Sequence, residues 1–148
     1  EFYGTNSTTW LVSLEFQTER APGYFATTLY NEEVDGEMRP VWALAPHSIF
    51  VSHQANQVIT AGPQTIWGWA WGAGGIAEVE VSTDGGQTWQ ICQLQPRIDH
   101  AWQKFTLDWQ ASVGPAELIC RARGNNGQQQ PATGARNAWY SVAVQVQA

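Results

Sequence analysis

Between Gly62 and Leu94 the chain alternates residue size and polarity with the two-residue period of a half-buried strand, broken only by glycine-rich turns. Thr65–Trp71 sets Trp67, Trp69 and Trp71 against the small Gly68 and Ala70. Gly72–Gly75 supplies a turn. Ile76–Ser82 then places Ala77, Val79 and Val81 on one face and Glu78 and Glu80 on the other, and after Asp84-Gly85-Gly86 the segment Thr88–Leu94 returns as a third strand. Glutamates between apolar neighbours are what the solvated face of an antiparallel sheet requires.

The same signal extends along the chain, and no ten-residue segment carries a convincing helical period. Thr9–Gln17 reads as a strand, with Trp10, Val12, Leu14 and Phe16 sharing a face. Residues 21–47, rich in proline, glycine and acids, read as a linker with short extended pieces at Tyr24–Tyr30 and Val41–Leu44. Further strands are expected at Ser48–Ser52, Gln57–Thr60, Trp102–Trp109, Ala116–Arg123 and Trp139–Gln147. Their inward faces are Phe105, Leu107 and Trp109; Leu118, Cys120 and Ala122; and Tyr140, Val142, Val144 and Val146. Gln95–Asp99, Ser112–Pro115 and the polar Gly124–Ala135 connect them.

About seven or eight short strands after residue 48, each followed by turn residues, point to an all-β fold. The expected form is an immunoglobulin-like β-sandwich with an N-terminal extended segment, a small barrel being the competing architecture. Residues 1–47 and 48–148 form the expected division.

Composition narrows the possible partners. The chain has 148 residues, 43% of them apolar, enough for one packed domain with an appended piece. Nine tryptophans are the anomaly. They suit core anchors, a sugar-binding face or a subunit interface. A net charge of −6 argues against nucleic acid as a partner. The acids crowd the N-terminal part, as Glu1, Glu15, Glu19, Glu32, Glu33, Asp35 and Glu37, and read as a solvated face. No apolar run approaches the roughly 18–20 residues of a membrane span. A chain that opens on Glu1 without a signal peptide reads as processed, or as a piece of something longer, and no location follows from it. Asn6-Ser7-Thr8 is a glycosylation sequon in a eukaryotic secreted protein and otherwise a polar turn.

Reactive groups are sparse. His47, His53 and His100 lack the i, i+2 or i, i+4 partner of a metal pair, and Cys92 and Cys120 form no metal set. Both cysteines fall on inward strand faces and are expected as free thiols, with a bridge as the alternative. Glu78 and Glu80 share a face, an arrangement used in glycoside hydrolysis but more often simply solubilising. The chain therefore offers no expected catalytic, cofactor-binding or metal residues. One local motif is specific. Ser82, Asp84, Gly86, Thr88 and Trp89 fit S-x-D-x-G-x-T-W, which resembles the Asp-box hairpin of sialidase-type propellers. The aspartate caps backbone N–H groups and glycine permits a positive φ. A propeller repeats the motif at a fixed period, and here it occurs once, so it reads as a structural hairpin.

The order of motifs resembles the C-terminal region of the molybdopterin-dependent sulfite oxidase family, which includes plant-type nitrate reductases. Ile66–Trp71, Ile76–Ser82, Asp84-Gly85-Gly86 and Thr88-Trp89 are similar to the start of that family's dimerisation domain. Trp102 and Trp109, then Arg121-Ala122-Arg123 with Gly127 and Gln130-Pro131, and Asn137-Ala138-Trp139 follow in the family's order. Tyr3–Leu11 resembles the segment that ends the cofactor domain, with Thr9 where the family carries a lysine near the pterin phosphate. Arg136 does not match the arginine that reaches the substrate pocket in sulfite-using members.

The resemblance implies a dimerisation domain, preceded by the tail of a molybdenum-cofactor domain. The implied partners are a second copy and the upstream cofactor domain of the same polypeptide, with molybdopterin bound in the parent protein rather than in this chain. A carbohydrate- or protein-binding immunoglobulin-like module is the alternative.

Overall fold

The computed structural model describes residues 10–34 and 36–148. Two compact units divide the chain, Glu1–Leu44 and Ala45–Ala148.

In the first unit Phe25–Leu29 forms a single wide helical turn, closed by the Tyr30 N–H donating to the Phe25 carbonyl at 2.9 Å. A hairpin follows, β1 (Asn31–Val34) against β2 (Glu37–Pro40), in the register Asn31↔Pro40 and Glu33↔Met38. The Arg20 guanidinium donates to Asn31 Oδ1 at 2.7 Å and ties the preceding segment to the hairpin. Three sequence expectations are corrected here. Tyr24–Tyr30 is helical rather than extended. The acidic stretch read as linker is paired strand. The expected strand Thr9–Gln17 is not one over Leu11–Gln17, and Thr9 lies outside the described residues. Trp10, Val12, Leu14 and Phe16 are exposed. Alternation states which face a strand would bury, but ladder hydrogen bonds need a neighbouring strand.

The second unit holds β3 (His47–Phe50), β4 (Gln57–Thr60), β5 (Gly62–Trp71), β6 (Ile76–Ser82), β7 (Gln90–Ile91), β8 (Gln93–Leu94), β9 (Gln103–Ala111), β10 (Gly114–Gly124) and β11 (Tyr140–Gln147). They form a five-stranded sheet in the order β4-β11-β10-β6-β7 and a four-stranded sheet in the order β3-β5-β9-β8. The two sheets enclose one core, and the fold is an immunoglobulin-like β-sandwich. Ile59, Val79, Val81, Leu118, Cys120, Val142, Val144 and Val146 enter the core from the first sheet; Phe50, Ile66, Ala70, Phe105 and Ala111 enter from the second.

The tryptophans of β5 face away from this core. Ile66, Gly68 and Ala70 point inward, because β9 places Phe105 opposite Gly68 and its ring fills the space beside the glycine. Phe50 closes on Phe105 from β3, with ring centroids 6.2 Å apart. The expected inward face of β6 is half right. Val79 and Val81 are buried, but Ile76 is buried in place of Ala77. The register against β10 slips between Arg123↔Glu78 and Gly124↔Ile76, a bulge that shifts which side chains face the core.

Thr88–Leu94 is likewise not one strand. Gln90–Ile91 pairs with β6, and Gln93–Leu94 crosses to pair with β9 in the other sheet. Cys92 sits at the crossing with its side chain buried, and its N–H donates to the Val79 carbonyl at 2.9 Å. Cys92 and Cys120 are both free thiols. Burial pushes each thiol up to about 12, the Glu80 charge adding to the effect at Cys92.

Candidate functional site

On the outer face of the five-stranded sheet, the chain's own hairpin folds over β10. Asp84 Oδ1 accepts the backbone N–H groups of Gln87 and Thr88 at 3.0 and 2.9 Å and the Ser82 hydroxyl at 2.7 Å, while Oδ2 accepts the Thr88 hydroxyl at 2.6 Å. Ser82 Oγ in turn accepts the Gly86 N–H at 2.8 Å, and Gly86 holds φ 91°. The loop folds down on β10, where the Gly85 N–H donates to the Glu117 carbonyl at 3.0 Å. The Trp89 indole N–H donates to the Gly86 carbonyl at 3.2 Å.

The Thr88 hydroxyl first, then the Thr88 N–H and the Ser82 hydroxyl, hold the Asp84 carboxyl down to about 2 from its usual 3.8. A carboxyl depressed on folding adds stability above its unfolded value, and that stability is lost as pH falls through the folded one. Thermal melts of wild type are therefore expected to lose stability between pH 4 and pH 2 more steeply than melts of Asp84→Asn, and parallel acid limbs would refute this.

Beside the hairpin, Arg121 lies against two adjoining indoles. Its guanidinium carbon is 3.9 Å from the Trp89 ring centroid and 5.4 Å from that of Trp139, and its Nε donates to Glu80 Oε2 at 2.7 Å. Arg123 pairs with Glu78 at 3.3 Å. The two glutamates weighed above as a carboxylate pair are each bound to the arginine opposite in register. Trp89 and Trp139 meet edge to face at 5.1 Å.

Sequence reasoning missed two buried glutamines that fasten the irregular segments. Gln130, 2% exposed, accepts the Ser48 hydroxyl at 2.8 Å and the Ala122 N–H at 3.0 Å, and donates to the Ala138 carbonyl at 2.8 Å. Gln103 accepts the Ile76 N–H at 2.7 Å and donates to the Ile76 and Gln95 carbonyls at 3.2 Å, which holds the bulge of β6. Asn137 donates to the Pro46 carbonyl at 2.8 Å, and the Trp139 indole N–H to the Gln130 carbonyl at 2.9 Å. The loop read as polar and irregular is thus pinned at both ends. Its signal in the sequence is limited to the Gln130-Pro131 and Asn137-Ala138-Trp139 motifs.

The outer face of the four-stranded sheet has a different character. Trp67, Trp69 and Trp71 project from β5, and Trp102 stacks on Trp71 with centroids 4.6 Å apart. Trp67 and Trp69 meet edge to face at 6.4 Å, and His47 tilts onto Trp71 at 4.9 Å. Lys104 Nζ lies 4.5 Å from the Trp67 centroid, and Asp108 accepts the Thr65 hydroxyl at 3.3 Å. Trp102 is 54% exposed.

Among the described residues no cluster of three or more histidine, cysteine or acidic side chains exists. Cys92 and Cys120 are buried in the core of the sandwich, where burial raises each thiol pKa. His53 is buried, with its ring Nδ1 2.7 Å from Ser52 Oγ, and its pKa is lowered by burial, as is that of His47. His100 sits in the loop after β8, 3.5 Å from Arg97. The described residues do not fit a molybdenum centre. Thr9 and the sequon Asn6-Ser7-Thr8 lie outside the described residues. No helix among the described residues is long and apolar enough to cross a membrane.

Comparison with known proteins agrees with the fold. The family model described as the Mo-co oxidoreductase dimerisation domain matches residues 38–147. Mitochondrial sulfite oxidase of Homo sapiens is 29% identical over 97% of this chain and 31% of its own length. A nitrate reductase of Hordeum vulgare is 45% identical over 43% of this chain and 8% of its own length. The chain thus spans less than a third of these relatives. The sulfane dehydrogenase SoxCD from Paracoccus pantotrophus shares the fold with a TM-score of 0.65 at 23% identity, over 85% of this chain and 39% of that one. The match over residues 38–147 takes in the whole sandwich, and the chain belongs to the Mo-co oxidoreductase dimerisation-domain family.

Proposed function

We propose that this chain is the dimerising C-terminal part of a molybdenum-cofactor oxidoreductase of the sulfite oxidase type and that it forms a homodimer. The family match over the sandwich carries the reading. In it, residues 48–148 are the dimerisation domain and residues 1–47 the tail of the cofactor domain and the interdomain segment. Molybdopterin is held by another part of the longer protein, and this chain is non-catalytic by itself. Ser82, Asp84, Gly86, Thr88 and Trp89 serve as a structural brace for the five-stranded sheet.

A closed two-fold dimer is the commonest way for such a domain to self-associate. Light scattering on the 148-residue chain should give twice its 16.4 kDa mass at micromolar concentration. A monomer mass throughout a broad concentration range would falsify the reading.

A further inference from the structure

Resting on the reading of this chain as a dimerising module, we propose that a second copy docks on the outer face of the four-stranded sheet. The two-fold axis lies in the contact plane, runs across the strands and passes over Thr106.

The two outer faces of the sandwich are not equivalent. On the five-stranded sheet the Asp84 hairpin folds over β10, and the outward charges of β6 and β10 are matched as Arg121–Glu80 and Arg123–Glu78. The indoles there are engaged by Arg121, and only the single aliphatic side chains Val58 and Ile91 stand exposed. The outer face of the four-stranded sheet presents the half-buried Trp67, Trp69 and Trp71, with the exposed Trp102 stacked on Trp71. A central aromatic cluster with a sparse polar margin is the pattern of the energetically important part of an interface.

The charges select both the occupant and the axis. On β9 the outward positions are Lys104, Thr106 and Asp108, opposite Trp69, Trp67 and Thr65 on β5. At about 3.4 Å per residue, the lysine and the aspartate lie roughly 7 Å on either side of Thr106. An axis across the strands turns β9 end for end, so Lys104 of each copy faces Asp108 of the other, twice by symmetry. An axis along the strand would face lysine with lysine and aspartate with aspartate. The pattern is self-complementary in one orientation, as an isologous contact requires. Trp67, beside Thr106 in register, then stands at the centre of the contact.

The test is a charge exchange in the full chain, followed by sedimentation equilibrium. Lys104→Glu and Asp108→Lys should each raise the dimer dissociation constant about tenfold or more, because each places two like-charge pairs across the axis. The double variant should return it to within about threefold of wild type. A wild-type monomer would remove the underlying dimer reading. A wild-type dimer that neither single variant weakens would leave that reading intact and overturn the surface proposed here.

Thiol-specific cross-linking gives an independent measure. Sheets that pack face to face lie about 10 Å apart, beyond the reach of a direct disulfide. A bismaleimide of about that span should therefore join two copies of Thr106→Cys, which face each other across the axis, but not two copies of Ser141→Cys, on the outer face of the other sheet. The native Cys92 and Cys120 are buried and do not contribute. Cross-linking at position 141 but not at 106 would overturn the proposal.

Discussion

Gly68→Ala will destabilise the sandwich by about 3 kcal/mol or more, at the upper end of what overpacking costs. A Cβ at this position would overlap the Ile49 carbonyl oxygen and lie 2.6 Å from Phe105 Cζ and 2.8 Å from Cε1. Neither neighbour can move cheaply. Ile49 belongs to β3, whose backbone is held in the ladder with β5, and Phe105 is fully buried against Phe50. Gly74→Ala provides the contrast. It has open space around it but sits at φ 77°, so only the left-handed backbone is penalised, by about 1–2 kcal/mol. Urea unfolding of the two variants measures the difference. Equal midpoints would mean that β3, β5 and β9 are not packed as closely as described.

The second large effect is expected at Gln130. Gln130→Ala removes the acceptor of the Ser48 hydroxyl and the Ala122 N–H and the donor to the Ala138 carbonyl. Ser48 is fully buried, so water cannot replace the lost partner. A buried polar group left unsatisfied costs about 1–3 kcal/mol, and with several groups orphaned together the expected loss is about 3 kcal/mol or more. The neighbouring Gln129→Ala, at an exposed position, should change stability by no more than about 0.5 kcal/mol. Hydrogen exchange should also show faster opening of residues 124–139 in Gln130→Ala than in Gln129→Ala. Equal stability of the two would refute the role given to Gln130.

The strands of the sandwich were largely legible because each alternates over a length comparable to its own ladder. Gln57–Thr60 and Ile76–Ser82 agree to the residue, and Val142, Val144 and Val146 face inward as their spacing requires. The errors, and the question left open of which way the β5 tryptophans face, share a cause. Periodicity divides residues between two faces without saying which face the partner sheet covers. In β5 the large residues lie on the outer face, because the ring of Phe105, far downstream on β9, takes the inner space beside Gly68. At Ile76 the bulge displaces the alternation. At Cys92 one apparent strand divides between two sheets. In Trp10–Phe16 a good alternation has no partner strand among the described residues.

Less was legible of what fastens the loops. Gln103 and Gln130 are polar residues in apparently polar contexts, and their burial follows from which backbone groups the tertiary fold leaves without partners. The Asp84 hairpin was the exception. Its hydrogen bonds join residues within four positions of one another, so the local spacing sufficed to specify them.

By itself the sequence determined the all-β class, the positions of most strands and turns, the hairpin chemistry at Asp84 and the resemblance to a dimerisation domain. All of these rest on residues close together in the chain or on motif order. Tertiary structure alone decided that Trp67, Trp69 and Trp71 face outward, that Glu78 and Glu80 are matched to Arg123 and Arg121, and that Lys104 and Asp108 flank Thr106 on the outer face of the four-stranded sheet. Each depends on contacts between strands distant in sequence, where register and packing against a second sheet, rather than local preference, fix the direction of a side chain.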